Sequence, residues 1–136
     1  MQKPQVTDEE LARMAIGAME KAYAPYSNFH VGAAVATEDG AIFTGANVEN
    51  ASYGLTICAE RVAIFTAVSQ GHIRITRVAV AASNLEEVFP CGACRQVLNE
   101  FGPEMNVITI ARGQMAASYS LSELLPRSFG PADLQK

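Results

Sequence analysis

TICAERVAIFTAVSQG at residues 56–71, VAVAA at 78–82, PCGACRQVLNEFGP at 90–103 and VITIA at 107–111 decide the architecture of this chain. The first and third segments read as helices, the second and fourth as strands. Thr56 is placed to cap a helix from Cys58 to Ser69, with Gly71 as its stop. Val78 to Ala82 is an apolar run without charge, as a strand buried on both faces requires. A helix from Cys91 to Phe101 ends at Gly102-Pro103, because proline cannot continue it. Val107 to Ala111 is a second apolar strand. Strands that alternate with helices pair at least partly in parallel, since the helix returns the chain to the same edge.

Working outward, Thr7-Asp8-Glu9-Glu10 has the form of a capping box. Leu11, Met14, Ala15, Ala18, Met19 and Ala22 follow at helical spacing. That helix stops near Ala24-Pro25, because the residue before proline avoids the helical region. Val31–Thr37 and Ala41–Ala46 read as strands of a hairpin turned at Asp39-Gly40. Ser120 or Ser122 opens a short last helix through Leu125, and the tail from Pro126 is irregular. The expected fold is α/β: a three-layer α/β/α sandwich with a mixed central sheet, one domain over residues 1–136.

Composition excludes several classes. Of 136 residues, 49% are hydrophobic and 18% charged, which is globular rather than disordered. The net charge is −4 and the cations are scattered, so a nucleic-acid surface is not expected. There is no apolar stretch near the ~20 residues a membrane span needs. Met1 to Glu10 is polar and unlike a signal peptide. A cytoplasmic protein is expected.

The three cysteines are Cys58, Cys91 and Cys94. An odd count without a secretion signal argues against a disulfide framework. Cys91-Gly92-Ala93-Cys94 at a helix start aims two thiolates at one point, which suits zinc. Cys58 opens the other helix, and the amides and dipole of a helix N-terminus favour thiolate. Three protein ligands leave a fourth position open, as a catalytic zinc requires. A redox Cys-x-x-Cys pair has no use for Cys58 and Glu60 at a matching helix mouth. A structural zinc would need a fourth ligand, and His30 and His72 stand in no ligand-like spacing; both read as ordinary loop or surface residues. Glu60 follows the first ligand by two residues and can reach a metal-activated water without ligating; standing alone, it would read as a solvated helix glutamate.

Together these motifs resemble the small homotetrameric zinc-dependent cytidine deaminases over nearly the whole chain. The resemblance rests on Tyr26-Ser27-Asn28-Phe29, Val31-Gly32-Ala33-Ala34, Asn47-Val48-Glu49-Asn50-Ala51-Ser52-Tyr53, Cys58-Ala59-Glu60-Arg61, Pro90-Cys91-Gly92-Ala93-Cys94-Arg95-Gln96, and Leu124-Leu125-Pro126 with Phe129. A metal ligand, one residue and Glu, followed later by Pro-Cys-x-x-Cys, is the general pattern of zinc deaminases. The resemblance implies one Zn2+ per subunit on Cys58, Cys91 and Cys94. It implies hydrolytic deamination of cytidine and deoxycytidine to uridine and deoxyuridine, as part of pyrimidine salvage, with release of ammonia. Metal-activated water attacks C4 and Glu60 shuttles the proton. It also implies that Asn47 and Glu49 bind the ribose, Phe29 packs on the pyrimidine, and the Ala59 amide meets its carbonyl. Tyr53 is implied near the sugar or a subunit interface, and Phe129 over the base of a neighbouring subunit in a homotetramer.

Three thiolates on Zn2+ leave the site at about −1, so a compensating positive field is needed. Arg61, directly after Glu60, is the expected donor to the sulfurs; a surface helix arginine is the plainer reading, and Arg95 is a weaker candidate. The helix from Cys58 to Ser69 is apolar over much of its girth, at Val62, Ala63, Ile64, Phe65, Ala67 and Val68, which also predicts a partner. Two alternatives stand beside this reading. One is a deaminase of another small cytosine nucleoside such as blasticidin S. The other is a non-catalytic zinc-binding module, against which Glu60 argues.

Overall fold

A computed structural model of the chain describes residues 5–134, so the first four residues of the polar N-terminal stretch lie outside it. Helix α1, Asp8–Ala18, opens as expected: the Thr7 hydroxyl accepts from the Glu10 amide at 3.1 Å. It tightens into a single 3-10 turn, Met19–Lys21, before Pro25. Strands β1, Val31–Thr37, and β2, Ile42–Ala46, form the expected antiparallel hairpin, with Gly40 at φ 89° in its turn.

Helix α2 spans Ala59–Ser69, and Cys58 rather than Thr56 is its N-cap residue. The reason is a two-way backbone bridge between Ile57 and Val48, at 2.9 and 3.0 Å, which keeps the chain extended up to Cys58. Thr56 instead accepts the Asn50 amide at 3.2 Å. Strand β3, Ile75–Ala82, begins earlier than its apolar run suggests. Its polar start is absorbed by Arg77, which reaches back to Asp8 at 3.0 Å. Helix α3, Gly92–Phe101, and strand β4, Asn106–Ala111, follow as expected. Strand β5, Gln114–Ser120, was not anticipated. A short helix α4, Leu121–Leu124, follows with a capping box of Ser120 and Glu123, and the tail contains one 3-10 turn, Pro131–Asp133.

The sheet runs β2-β1-β3-β4-β5. Only β3 and β4, joined by α3, pair in parallel; the other three pairs are antiparallel, so the sheet is mixed. Alternation along each strand separates two cores. On one face Leu11, Ala12 and Ala15 of α1 pack on Ala34, Ala36, Ala79, Ala81, Ile108 and Ile110. On the other, α2 and α3 bury Ala63, Ile64, Ala67 and Leu98 against Ala33, Val35, Val78, Val80 and Val107. The three-layer expectation therefore holds.

Two glycines set how closely the helices approach. A Cβ on Gly32 would lie 2.0 Å from the Ala15 carbonyl oxygen, and one on Gly45 2.5 Å from the Ala63 nitrogen. Any side chain at Gly45 would push α2, and with it Cys58 and Glu60, off the sheet. No helix among the described residues is long and apolar enough to cross a membrane.

Candidate active site

The mouths of α2 and α3 meet beside the end of β3, and this brings the cysteines together. The sulfurs of Cys58, Cys91 and Cys94 all lie within 4.8 Å of one another. Cys58 and Cys91 are 3.8 Å apart. A tetrahedron with zinc–sulfur arms of ~2.3 Å has edges of roughly 3.8 Å, so the spacing fits zinc. Local helix geometry sets the pair on α3: Cys91 is the N-cap, and its sulfur accepts the Cys94 amide at 3.5 Å. Cys94 is fully buried, Cys58 half-buried and Cys91 exposed, so the triad runs from the core to the surface.

The electrostatics favour the ionised form of the Cys58 sulfur. Cys58 is held down to about 5 by a hydrogen bond from the Cys94 thiol, with Arg61 and Cys91 adding to it against the cost of burial. Cys94 is pushed up by the same bond and by burial. Arg61 donates from Nη2 to the Cys58 sulfur at 3.5 Å, so it is not a surface arginine. Arg95 turns away from the sulfurs and donates to the carbonyls of Pro90 and Leu124, at 2.7 and 2.8 Å.

Glu60 is 4% exposed, which no solvated helix glutamate would be. Burial, followed by the charge on Cys58, pushes its carboxyl up to about 7. It borders a cavity of about 400 Å³, also lined by Phe29, Asn47, Glu49, Cys58, Ala59 and Cys91. That volume suits a small ligand. Ala59 is the first residue of α2, which carries no side-chain cap, so its N–H has no intrahelical acceptor.

Asn47 and Glu49 have local work as well. The Asn47 side chain accepts the Val31 N–H at 2.9 Å and donates to the Phe29 carbonyl at 2.8 Å, which fixes Phe29 at the entry to β1. Glu49 accepts the Tyr26 and Ser27 amides at 2.9 and 3.2 Å and the Ser27 hydroxyl. The Ser27 hydroxyl holds its carboxyl below the usual carboxylate range.

Two expected residues are not brought into this cavity. Tyr53 is 75% exposed and sits 6.0 Å from the Tyr26 ring. Phe129 is 59% exposed; its carbonyl is held by Gln96 and Asn99 of α3. His30 and His72 are not in the sulfur cluster, and His72 pairs with Asp39 at 3.3 Å.

Sequence reasoning missed Ser27, Ile57, Val88 and Phe89 in the cavity wall. Val88 and Phe89 stand directly before Pro90-Cys91, and that adjacency was the available signal. The Phe89 ring meets Tyr119 edge-on at 5.3 Å.

Residues 5–110 match the family model for the cytidine and deoxycytidylate deaminase zinc-binding region. The chain belongs to this family. A cytidine deaminase of Halalkalibacterium halodurans is 47% identical over 125 residues, covering 91% of this chain and 95% of that protein. One from Mycobacterium tuberculosis is 41% identical over 133 residues, covering 98% and 97%. The crystal structure of cytidine deaminase from Burkholderia pseudomallei superposes with a TM-score of 0.85 at 47% identity, covering 91% of this chain and all of that one. Among zinc deaminases a ligand set of three cysteines is a known variant, and this chain has it.

Proposed function

We propose that the chain is a single-domain cytidine and deoxycytidine deaminase of pyrimidine salvage. The observation that carries this reading is Glu60: a buried carboxyl, held protonatable near neutral pH, at the cavity edge two residues from a sulfur ligand. Zinc on Cys58, Cys91 and Cys94 supplies Lewis acidity that brings water ionisation near neutral pH. Water adds across the C4–N3 bond of the pyrimidine. Glu60 takes a proton from the water and delivers it to N3; it then takes the second proton from the new C4 hydroxyl and passes it to the amine, so that the C4–N bond breaks, the C4 carbonyl forms and ammonia leaves. A group with its pKa near the working pH serves both as base and as acid. Phe29 packs on the base, and the Ala59 N–H donates to the pyrimidine carbonyl. Asn47 and Glu49 keep free acceptor or donor capacity toward the ribose beyond their local bonds.

Cytidine against blasticidin S separates the two substrate readings. The Asn47-x-Glu49 pair, Phe129 and the named relatives favour plain nucleosides, so turnover of cytidine should be the faster. Faster turnover of blasticidin S would move the substrate assignment.

Arg61 supplies the positive charge that the thiolates call for. Its substitution by Ala makes the site more negative, and a more negative site raises the pKa of any acid in it. The pH at which activity rises should therefore move upward in Arg61→Ala. An unshifted profile at full zinc occupancy would remove Arg61 from this role.

A homotetramer with shared sites completes the reading, and a cytoplasmic location suits free thiolates. Support comes from the exposed rings and apolar side chains of Phe65, Tyr53, Leu55 and Phe129. Phe129 is exposed and does not line its own cavity, which leaves its ring free to serve a neighbour. Phe129→Ala should cost about 1–3 kcal/mol in catalytic efficiency, the range of base–aromatic stacking, with zinc retained. Mixed oligomers of Glu60→Ala and Phe129→Ala chains should then regain activity, because some sites have both residues intact. No gain, with mixed oligomers verified by mass, would return Phe129 to its own subunit.

A further inference from the structure

Helix α3 does more than present two cysteines. Arg95 lies directly after Cys94, and its guanidinium spans two separate stretches of backbone. Nε donates to the Pro90 carbonyl at 2.7 Å, one peptide before Cys91. Nη1 donates to the Leu124 carbonyl at 2.8 Å, at the end of α4. On the same helix, Gln96, the next residue, and Asn99, one turn along, both donate to the Phe129 carbonyl, at 2.8 and 3.2 Å. Asn99 is 5% exposed, accepts the Ser128 hydroxyl at 3.4 Å, and leaves no room for a side chain at Gly130, whose Cβ would lie 2.8 Å from Nδ2.

We propose that Arg95 is a positioning residue that clamps the Cys91 loop to the C-terminal segment, so that the metal site and Phe129 are held as one unit. The physical argument is the fork. A guanidinium donates along two fixed directions at once, and charged donors make the stronger hydrogen bonds. The bond to Pro90 fixes the peptide that enters the ligand turn. The bond to Leu124 fixes the start of the segment whose far end Gln96 and Asn99 hold. A lysine has the charge but not the fork, and it can serve one carbonyl at a time.

This inference uses the zinc site of the proposed deaminase, but its test does not read activity. Full-length, zinc-loaded Arg95→Gln is compared with wild type for zinc release to a chelator and for amide hydrogen exchange over residues 124–130. Both should speed up together, zinc release by about 10–100-fold, the usual effect of losing a group that supports a metal ligand. Arg95→Lys should speed both by less. Asn99→Ala cuts only the far end, so exchange over the segment should rise while zinc release stays at the wild-type rate. If Arg95→Gln does not fold, Arg95→Lys carries the same comparison. Faster zinc release with unchanged exchange, or the reverse, overturns the clamp. So does an Asn99→Ala protein that loses zinc as fast as the Arg95 variants. Absence of cytidine turnover in the wild type would instead count against the deaminase reading and leave these two rates unaffected.

Discussion

Glu60→Gln is expected to keep its zinc and its fold while losing activity by about 10²–10⁴-fold, the usual contribution of a general acid–base group. Glutamine has the shape of the glutamate and no charge. The surroundings of Glu60 already penalise the charged form, since burial lifts its carboxyl to about 7. The amide is therefore accepted where a carboxylate is not favoured. What is lost is the ability to move one proton from water to N3 and a second from the C4 hydroxyl to the amine. Metal content, melting temperature and turnover of the purified variant check this together. Near-normal turnover with full zinc would remove Glu60 from the proton path.

Cys91→Ala is expected to lose zinc and stability together. Removing one thiolate leaves Cys58 and Cys94 as a two-point site, and the affinity of a site falls steeply with ligand count. A group that binds only the folded chain stabilises it, so its loss appears as a lower melting temperature. For a chain of this size the drop should be roughly 10 °C or more. Cys91 is the instructive member because it is exposed, whereas alanine at the fully buried Cys94 would also disturb core packing. The Cys91 sulfur additionally caps α3 by accepting the Cys94 amide, so part of the loss is a lost cap. Metal analysis after dialysis, with a thermal melt, measures both effects. Full zinc occupancy in Cys91→Ala would take Cys91 out of the ligand set.

Much of the architecture was legible because local signals and tertiary structure agreed. Thr7 caps α1, Gly40 turns the β1–β2 hairpin, the apolar run of β3 lies buried as read, and that of β4 forms a strand as read. The misses have physical causes. Thr56 looks like a helix cap, but the bridge of Ile57 to Val48 depends on a residue distant in sequence, which no local signal reveals. Strand β5 escaped because it is an edge strand whose residues alternate between exposed and half-buried, with only Met115-Ala116-Ala117 as a short apolar run. Its turn was nevertheless marked: Arg112 and Gly113 both have positive φ, at 53° and 76°, as a tight hairpin requires.

At the site, the cysteines and Glu60 were legible because metal chemistry demands particular residue types at particular spacings. Arg61 needed the structure to separate it from a surface arginine, since helix position alone does not show which way a long side chain turns. The local duties of Asn47 and Glu49 were hidden for a similar reason: they depend on residues 23–31 folding back beside them. Phe89 was overlooked because an aromatic residue in a loop carries no periodic signal, although it stands two residues from a ligand.

The most direct test of cytidine deamination by this chain is the ultraviolet spectrum of cytidine after addition of the zinc-loaded protein. The cytidine absorbance should fall toward that of uridine, with one ammonia released per cytidine lost and with no such change from Glu60→Gln on the same timescale. An unchanged spectrum from protein shown to hold one zinc per chain would contradict this activity.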